Sequence, residues 1–155
     1  MKTLRIIPVL MLLALLLSCD KSVYYENNHT ISNEEWLIEN ELKHEIEIRD
    51  TMDVFNMFFH IRNSVDYGYS NLFLFVKTSF PNGQMSRDTL ECILADKSGK
   101  WYGKGRGKFR DSKILFKPQV RFPLQGVYKI DIQQAMREEP LKGIANVGIS
   151  LEFKN

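Results

Sequence analysis

From Leu42 onward, apolar and polar positions alternate with a period of two. Leu42, His44, Ile46 and Ile48 alternate with Lys43, Glu45, Glu47 and Arg49, the pattern of a strand with one buried and one wet face. Phe55, Met57, Phe59 and Ile61 repeat it, with Asn56, His60 and Arg62 on the other side. Residues 72–80 begin apolar on both sides, with Leu72, Leu74 and Val76 against Phe73 and Phe75, and stop at Pro81-Asn82-Gly83, a strong turn signal. The alternation continues through residues 90–95 and 114–116, Tyr128 with Ile130 and Ile132, and finally Ala145, Val147, Ile149, Leu151 and Phe153. Roughly seven to eight short strands, punctuated by Gly, Pro, Asn and Asp clusters, predict an all-β fold, an antiparallel β-sandwich. One short helix is expected at residues 133–139, ended by Pro140. Residues 20–40 are polar and irregular and read as a tether. Within it, Ser32 and Glu35 have capping-box spacing for a turn of helix through Trp36 and Leu37.

The start of the chain has a different pattern. Lys2 and Arg5 precede an apolar run over residues 6–17, broken only by Pro8 and too short for the ~20 residues that span a bilayer. It reads as a secretory signal. Leu16-Leu17-Ser18-Cys19 then resembles the lipobox of bacterial lipoproteins. In that chemistry the thiol is alkylated to a diacylglycerol thioether and becomes the new N-terminus, ready for a further palmitate-like chain. At about 0.8 kcal/mol per buried methylene, two or three such chains hold a small domain on a membrane. The plainer reading is an ordinary signal with an incidental cysteine. The expected organisation is a cleaved signal peptide at 1–18, a lipidated N-terminus and tether at 19–40, and a β-sandwich domain at 41–155.

Composition adds limits. The chain has 155 residues, 44% hydrophobic and 26% charged, which suits one globular domain and excludes disordered and collagen-like classes. The net charge of +2, from 21 basic and 19 acidic residues, falls to zero without Lys2 and Arg5, so no nucleic-acid partner is expected. The distribution is uneven. Residues 34–53 hold eight acidic and two basic residues, and residues 97–121 hold nine basic and one acidic. These segments either lie apart and create opposed fields, suited to orienting the domain on an anionic bilayer or in a protein complex, or face each other and cancel.

Few residues suggest chemistry. With Cys19 acylated, Cys92 is the remaining thiol, and its place in a strand beside Leu90 and Leu94 predicts a buried, inert core residue. His29, His44 and His60 have no metal-ligand spacing, and His44 falls on the apolar face of its strand, so no metal site is expected. Recognisable hydrolase motifs are lacking, and neither a catalytic site nor a cofactor is expected. Two segments are candidate interaction surfaces. In Gly99-Lys100-Trp101-Tyr102-Gly103-Lys104-Gly105-Arg106-Gly107-Lys108-Phe109, the glycines can form an anion nest, and Trp101 or Tyr102 can stack on a sugar or lipid headgroup beside Lys104 and Arg106. Against this stands a tight β-connection with solvated cations. In Asp66-Tyr67-Gly68-Tyr69, the tyrosines are either exposed contact residues or packed on the sandwich edge.

Several stretches, taken in order, resemble the gliding-motility lipoprotein GldH family of Bacteroidota. They include Arg62-Asn63, Asp66-Tyr67, residues 70–76, Phe80-Pro81-Asn82-Gly83, residues 88–92, Gly99-Lys100-Trp101, Gly103-Lys104-Gly105, Arg121-Phe122-Pro123, residues 134–137, Gly143-Ile144 and Val147-Gly148-Ile149. Cys19 occupies the family's lipidated position. The resemblance implies a small, lipid-anchored, non-enzymatic envelope protein required for gliding and associated with the adhesin-driving machinery and type IX secretion. Its implied partners are the membrane, through the lipid, and other envelope motility or secretion proteins. Lys108 departs from the family, in which an acidic residue is expected there. In Bacteroidota, an acidic run after the lipidated cysteine resembles a surface-export signal. Asp20-Lys21-Ser22-Val23 has one acid, so a periplasm-facing domain is expected, with the membrane left open. The alternative function is a lipid-anchored glycan- or ligand-binding module using Trp101, Tyr102, Tyr67 and Tyr69.

Overall fold

The computed structural model describes residues 22–154, so the expected signal peptide and Cys19 lie outside the described residues. The strands are β1 (Val23–Thr30), β2 (Glu35–Trp36), β3 (Leu42–Ile48), β4 (Phe55–Ser64), β5 (Asn71–Ser79), β6 (Met85–Ile93), β7 (Phe109–Val120), β8 (Gly126–Gln134), β9 (Leu141–Lys142) and β10 (Ile144–Phe153). Two four-stranded sheets, ordered β1-β10-β4-β7 and β3-β8-β5-β6, form a sandwich, and β2 pairs with β9 in a small ribbon. Every pairing is antiparallel. The period-two residues make the core. Ile46, Ile48, Phe59, Ile61, Leu72, Leu74, Ile130, Ile132, Val147, Ile149 and Leu151 are all buried between the sheets. In β3 the alternation is complete, with Leu42, His44, Ile46 and Ile48 buried and Lys43, Glu45 and Glu47 exposed.

Three expectations need correction. Residues 23–30 are an edge strand of the first sheet, paired with β10 from Val23↔Glu152 to Thr30↔Asn146, and are not a tether. Their inward side chains are Tyr24, Tyr25 and His29 instead of aliphatic residues, which hides the strand pattern. Ser32–Glu34 is a single 3-10 turn with no side-chain cap, and Trp36 continues into β2. The helix expected at 133–139 does not form. Gln133 and Gln134 extend β8, and the Gln134 side chain organises the following loop by donating to Glu138 O at 3.2 Å and accepting from Met136 N at 2.8 Å. That local bonding satisfies the backbone without a helical turn.

The register sorts the loops to two ends. Val23, Phe55, Val120 and Phe153 lie at one end, and Thr30, Ser64, Phe109 and Ile144 at the other. At the Val23 end, an aromatic cluster fills the core. Phe55 lies 4.9 Å from Tyr24 and 5.1 Å from Phe153 between ring centroids, and Tyr128 lies 4.8 Å from Phe122. Offset and edge-on pairs of this kind add to area burial. The remote end carries the 65–70, 94–108 and 135–140 connections, with Trp36 fully buried beneath them and donating to Asn40 O at 2.8 Å.

The open edge of β3 is covered by side chains from β1. Tyr24 Oη donates to Glu47 O at 2.6 Å, and His29 Nε2 lies 3.1 Å from Lys43 O. Next to these, buried His44 shares a 3.2 Å hydrogen bond with Tyr25 Oη, and its Nε2 has no partner among the described residues. The His29 ring packs edge-on against it at 4.7 Å. Burial first, and the neighbouring His29 second, push the His44 imidazole down to about 4, opposed by Asp131.

Two outcomes follow from this packing. A Cβ on Gly148 would sit 2.5 Å from Asn27 O and 2.1 Å from Asn28 Oδ1, so Gly148→Ala forces β1 away from β10. The expected cost is about 1–3 kcal/mol, with faster amide exchange across residues 23–30, measured by urea unfolding and hydrogen exchange. For His44, the unfolded chain takes up a proton between its ordinary value of 6.5 and about 4 that the folded chain refuses. Its contribution to stability is therefore complete above pH 6.5 and lost as pH falls toward 4, by up to roughly 3 kcal/mol. Urea titrations at pH 7.5 and 4.5 should show this loss in the parent, and a smaller loss in His44→Gln.

Candidate functional site

The candidate contact residues converge at the end remote from Val23, but they are not equivalent. After β6, Leu94 O accepts from Tyr102 N at 2.9 Å and Asp96 N donates to Lys100 O at 2.9 Å, which makes residues 94–102 a tight hairpin. Asp96 Oδ1 closes its turn by accepting from Ser98 N, Ser98 Oγ and Lys100 N at 2.7–3.0 Å. These bonds, led by the Ser98 hydroxyl, hold the Asp96 carboxyl below its usual range. The chain then crosses to β7, where Lys104 and Asp111 exchange backbone hydrogen bonds at 2.8 and 2.7 Å. Gly105 is required at that crossing because a Cβ there would lie 2.6 Å from Phe109 O, and its φ is +142°. The glycine-rich segment is thus two successive tight β-connections.

Tyr67 is a core residue, which corrects its place among the candidate contacts. It is 4% exposed, its Oη donates to Asn71 O at 2.9 Å, and burial raises its phenol well above the usual tyrosine value. The backbone at Gly143 approaches it so closely that a Cβ would come within 3.0 Å of Tyr67 Cα. Trp101 is half-buried, its ring 6.5 Å from that of Tyr67, and packs on the top of the core. Tyr69 is partly exposed and leans on Tyr67 at 5.6 Å. The Glu138 carboxylate beside Tyr69, through a hydrogen bond and its charge, raises the Tyr69 phenol. Tyr102, Lys104 and Arg106 are exposed.

The oppositely charged segments occupy opposite edges of the sandwich. Acidic β3 lies beneath β1, whereas basic β7 is joined to β6 by Lys117 Nζ–Asp88 Oδ2 at 2.8 Å. Among the described residues, the two segments meet in one ion pair, Lys108 with Glu34. Lys113 is matched by Glu152 at 2.6 Å, whereas Lys104 and Arg106 have no described carboxylate within ion-pair distance. Cys92 is buried and its thiol is pushed up to about 12, first by burial and then by Glu91, consistent with an inert core residue. The described residues contain no group of three or more His, Cys, Asp or Glu side chains able to hold a metal ion.

Sequence reasoning missed Ser112 on β7. Its Oγ is buried and has no hydrogen-bond partner among the described residues, and it lines a cleft of about 510 Å3 with Ile93, Tyr102, Lys104, Asp111, Lys113 and Ile114. The apolar alternation indicated a strand at Ile114, but nothing in a single sequence says which strand edge is left open.

These features define a small antiparallel β-sandwich whose polar connections and unpaired cations gather at the end away from its first strand. Residues 23–151 match the GldH lipoprotein family, and the chain belongs to that family. It is 39% identical over 142 residues to the gliding motility lipoprotein GldH homolog of Christiangramia forsetii, covering 87% of this chain and 86% of that protein. It is also 33% identical over 155 residues to the gliding motility lipoprotein GldH of Flavobacterium johnsoniae, covering 95% and 96%. Among solved structures, dimeric latent PorU from Porphyromonas gingivalis matches 85% of this chain with 13% of its own, at 10% identity and a TM-score of 0.36, too low to define a shared fold.

Substitution separates packing residues from contact residues in this region. Tyr67→Ala should cost about 3–5 kcal/mol in urea unfolding, whereas Tyr102→Ala should stay within about 0.5 kcal/mol of the parent.

Proposed function

We propose that this protein is a lipid-anchored envelope component required for gliding motility, acting without catalysis as a structural or assembly part of the gliding and type IX secretion machinery. The observation that carries the reading is family membership over residues 23–151, together with relatives named for gliding motility along nearly their whole length. Cys19 is the proposed lipid attachment site, and the domain faces the periplasm.

The geometry supports a contact role. Strand β1 starts at Val23, so only Asp20, Lys21 and Ser22 separate it from Cys19, a reach of about 10 Å when extended. An anchor there keeps the sandwich against the bilayer with its Val23 end inward. The loops at 65–70, 94–108 and 135–140 then point away from the membrane. That orientation favours a protein complex over the anionic bilayer surface as the partner of the basic segment, because the cations lie at the far end and opposite edge. Burial of Tyr67, and its use of Trp101 as a neighbour, leaves the glycan-binding alternative with Tyr102 and Tyr69 as its exposed rings.

A deletion strain complemented with the wild-type or Cys19→Ala protein tests this reading, with surface spreading and the secreted protein profile scored together. Loss of spreading, restored by wild type and not by stably accumulated Cys19→Ala, is the expected result. Normal spreading in the deletion strain would overturn the motility role. Digestion of the domain by protease added to intact cells would overturn the periplasmic orientation.

A further inference from the structure

The outer edge of β7 has the features of a strand-docking site. Asp111 turns its N–H and C=O away from β4 to exchange bonds with Lys104, so Lys113 and Leu115, two and four residues on, also direct theirs outward. No described strand pairs with the outer side of that stretch, β4 lying on the other. Beside it lies the cleft lined by Ile93, Tyr102, Lys104, Ser112 and Ile114. The surroundings are unusually apolar for a solvent edge: at the cleft Tyr102 is 65% exposed and Ile93 50%, and on the strand's outer face Leu115 is 49% exposed. Within the cleft, the Ser112 hydroxyl is buried without a partner, a group that an incoming backbone or side chain would satisfy.

Lysines alone are a common way to blunt a strand edge against aggregation. Here Lys113 and Lys117 are held by Glu152 and Asp88, while Lys104 and Arg106 at the cleft mouth have no described carboxylate. The apolar rim and the unpaired hydroxyl are the opposite of what a guarded edge needs. A second copy of this chain fits poorly, because its β7 offers Lys104 and Arg106 one carboxylate, Asp111, which Arg62 already holds. The charge therefore selects a different, acidic partner.

We propose that the β7 edge at Lys113 and Leu115 receives an extended acidic segment of a partner protein as an added strand. The segment continues the pairing that Lys104 begins, with apolar side chains toward Ile93, Tyr102 and Ile114 and carboxylates toward Lys104 and Arg106. Backbone bonds supply the affinity, and the alternating side chains supply the selectivity. As an account of how the domain meets its complex, this rests on the reading above; the strand addition itself is measured without reference to motility, so either can fail alone.

The test uses the full chain in detergent with a ten-residue peptide of alternating glutamate and valine, compared with the same peptide carrying lysine for glutamate. Hydrogen exchange at the Lys113 and Leu115 amides should slow about tenfold at saturating acidic peptide, without change in β6. The lysine peptide should have no effect. Leu115→Pro removes one outward donor that β4 does not use, and should abolish protection. Lys104→Glu, which leaves the backbone intact, should weaken binding by up to about fivefold and covers the case in which the proline variant misfolds. The proposal is overturned by unchanged exchange at millimolar peptide, by equal protection from both peptides, by binding that both variants retain, or by concentration-dependent self-protection of the β7 edge, which would make the occupant a second copy.

Discussion

The fold closes through β10. It lies between β1 and β4, and Val147, Gly148, Ile149, Ser150 and Leu151 are all buried in it, including the positions that face away from the core. Among the described strands β1 has no other sheet neighbour, so the first strand depends on the last. Gly148 makes the dependence strict, because β1 crosses at a distance that leaves no room for a side chain there. A pull applied at Val23 would run along β1, parallel to its ladder with β10. Such a load strains the ladder's hydrogen bonds together as shear, instead of opening them one at a time. The joint between the first and last strands is thus well placed to carry mechanical load in a small domain.

Most of the sandwich was legible because a half-buried strand writes its faces into the sequence. In β3 the expected and observed faces coincide at every position from Leu42 to Ile48. The expected turn at Pro81-Asn82-Gly83 is present, with Gly83 at φ +85° and its N–H donating to Phe80 O at 3.0 Å. Two segments misled for physical reasons. Strand β1 buries aromatic and imidazole rings beside asparagines, and a bulge between Val23 and Tyr25 breaks its period, so local composition looked like a linker. At residues 133–139 the residue types favour helix, but Gln133 pairs with Phe75 and Gln134 with Leu74, and tertiary pairing outweighs propensity.

The candidate site was legible only as a neighbourhood. Glycines and aromatics around Trp101 and Tyr67 correctly marked an unusual end of the molecule. They did not show which rings face inward, because Tyr67 is buried by Gly143 and Trp101, residues distant in sequence. The charge asymmetry left two readings open, and the topology decides between them, since β3 and β7 belong to different sheets at opposite edges. Edge status is a property of strand order, which no local pattern encodes.

The edges also explain why one part of the surface can be both stable and available. Tyr24 and His29 of β1 cover the carbonyls of β3, so that edge is occupied from within the chain. Among the described residues strand β7 receives only Lys104 on its outer side, then bends through register shifts opposite Phe55, Met57 and Phe58, with Gln119 at φ +53°. Those irregularities disrupt the ladder and twist the far part of the edge away from a flat partner. What remains between the Lys104 bridge and the first shift is a short regular stretch at Lys113 and Leu115. A stretch that short offers few backbone bonds. With so few bonds, discrimination must come from the flanking cations and the apolar cleft, and that requirement turns a general strand acceptor into a selective one.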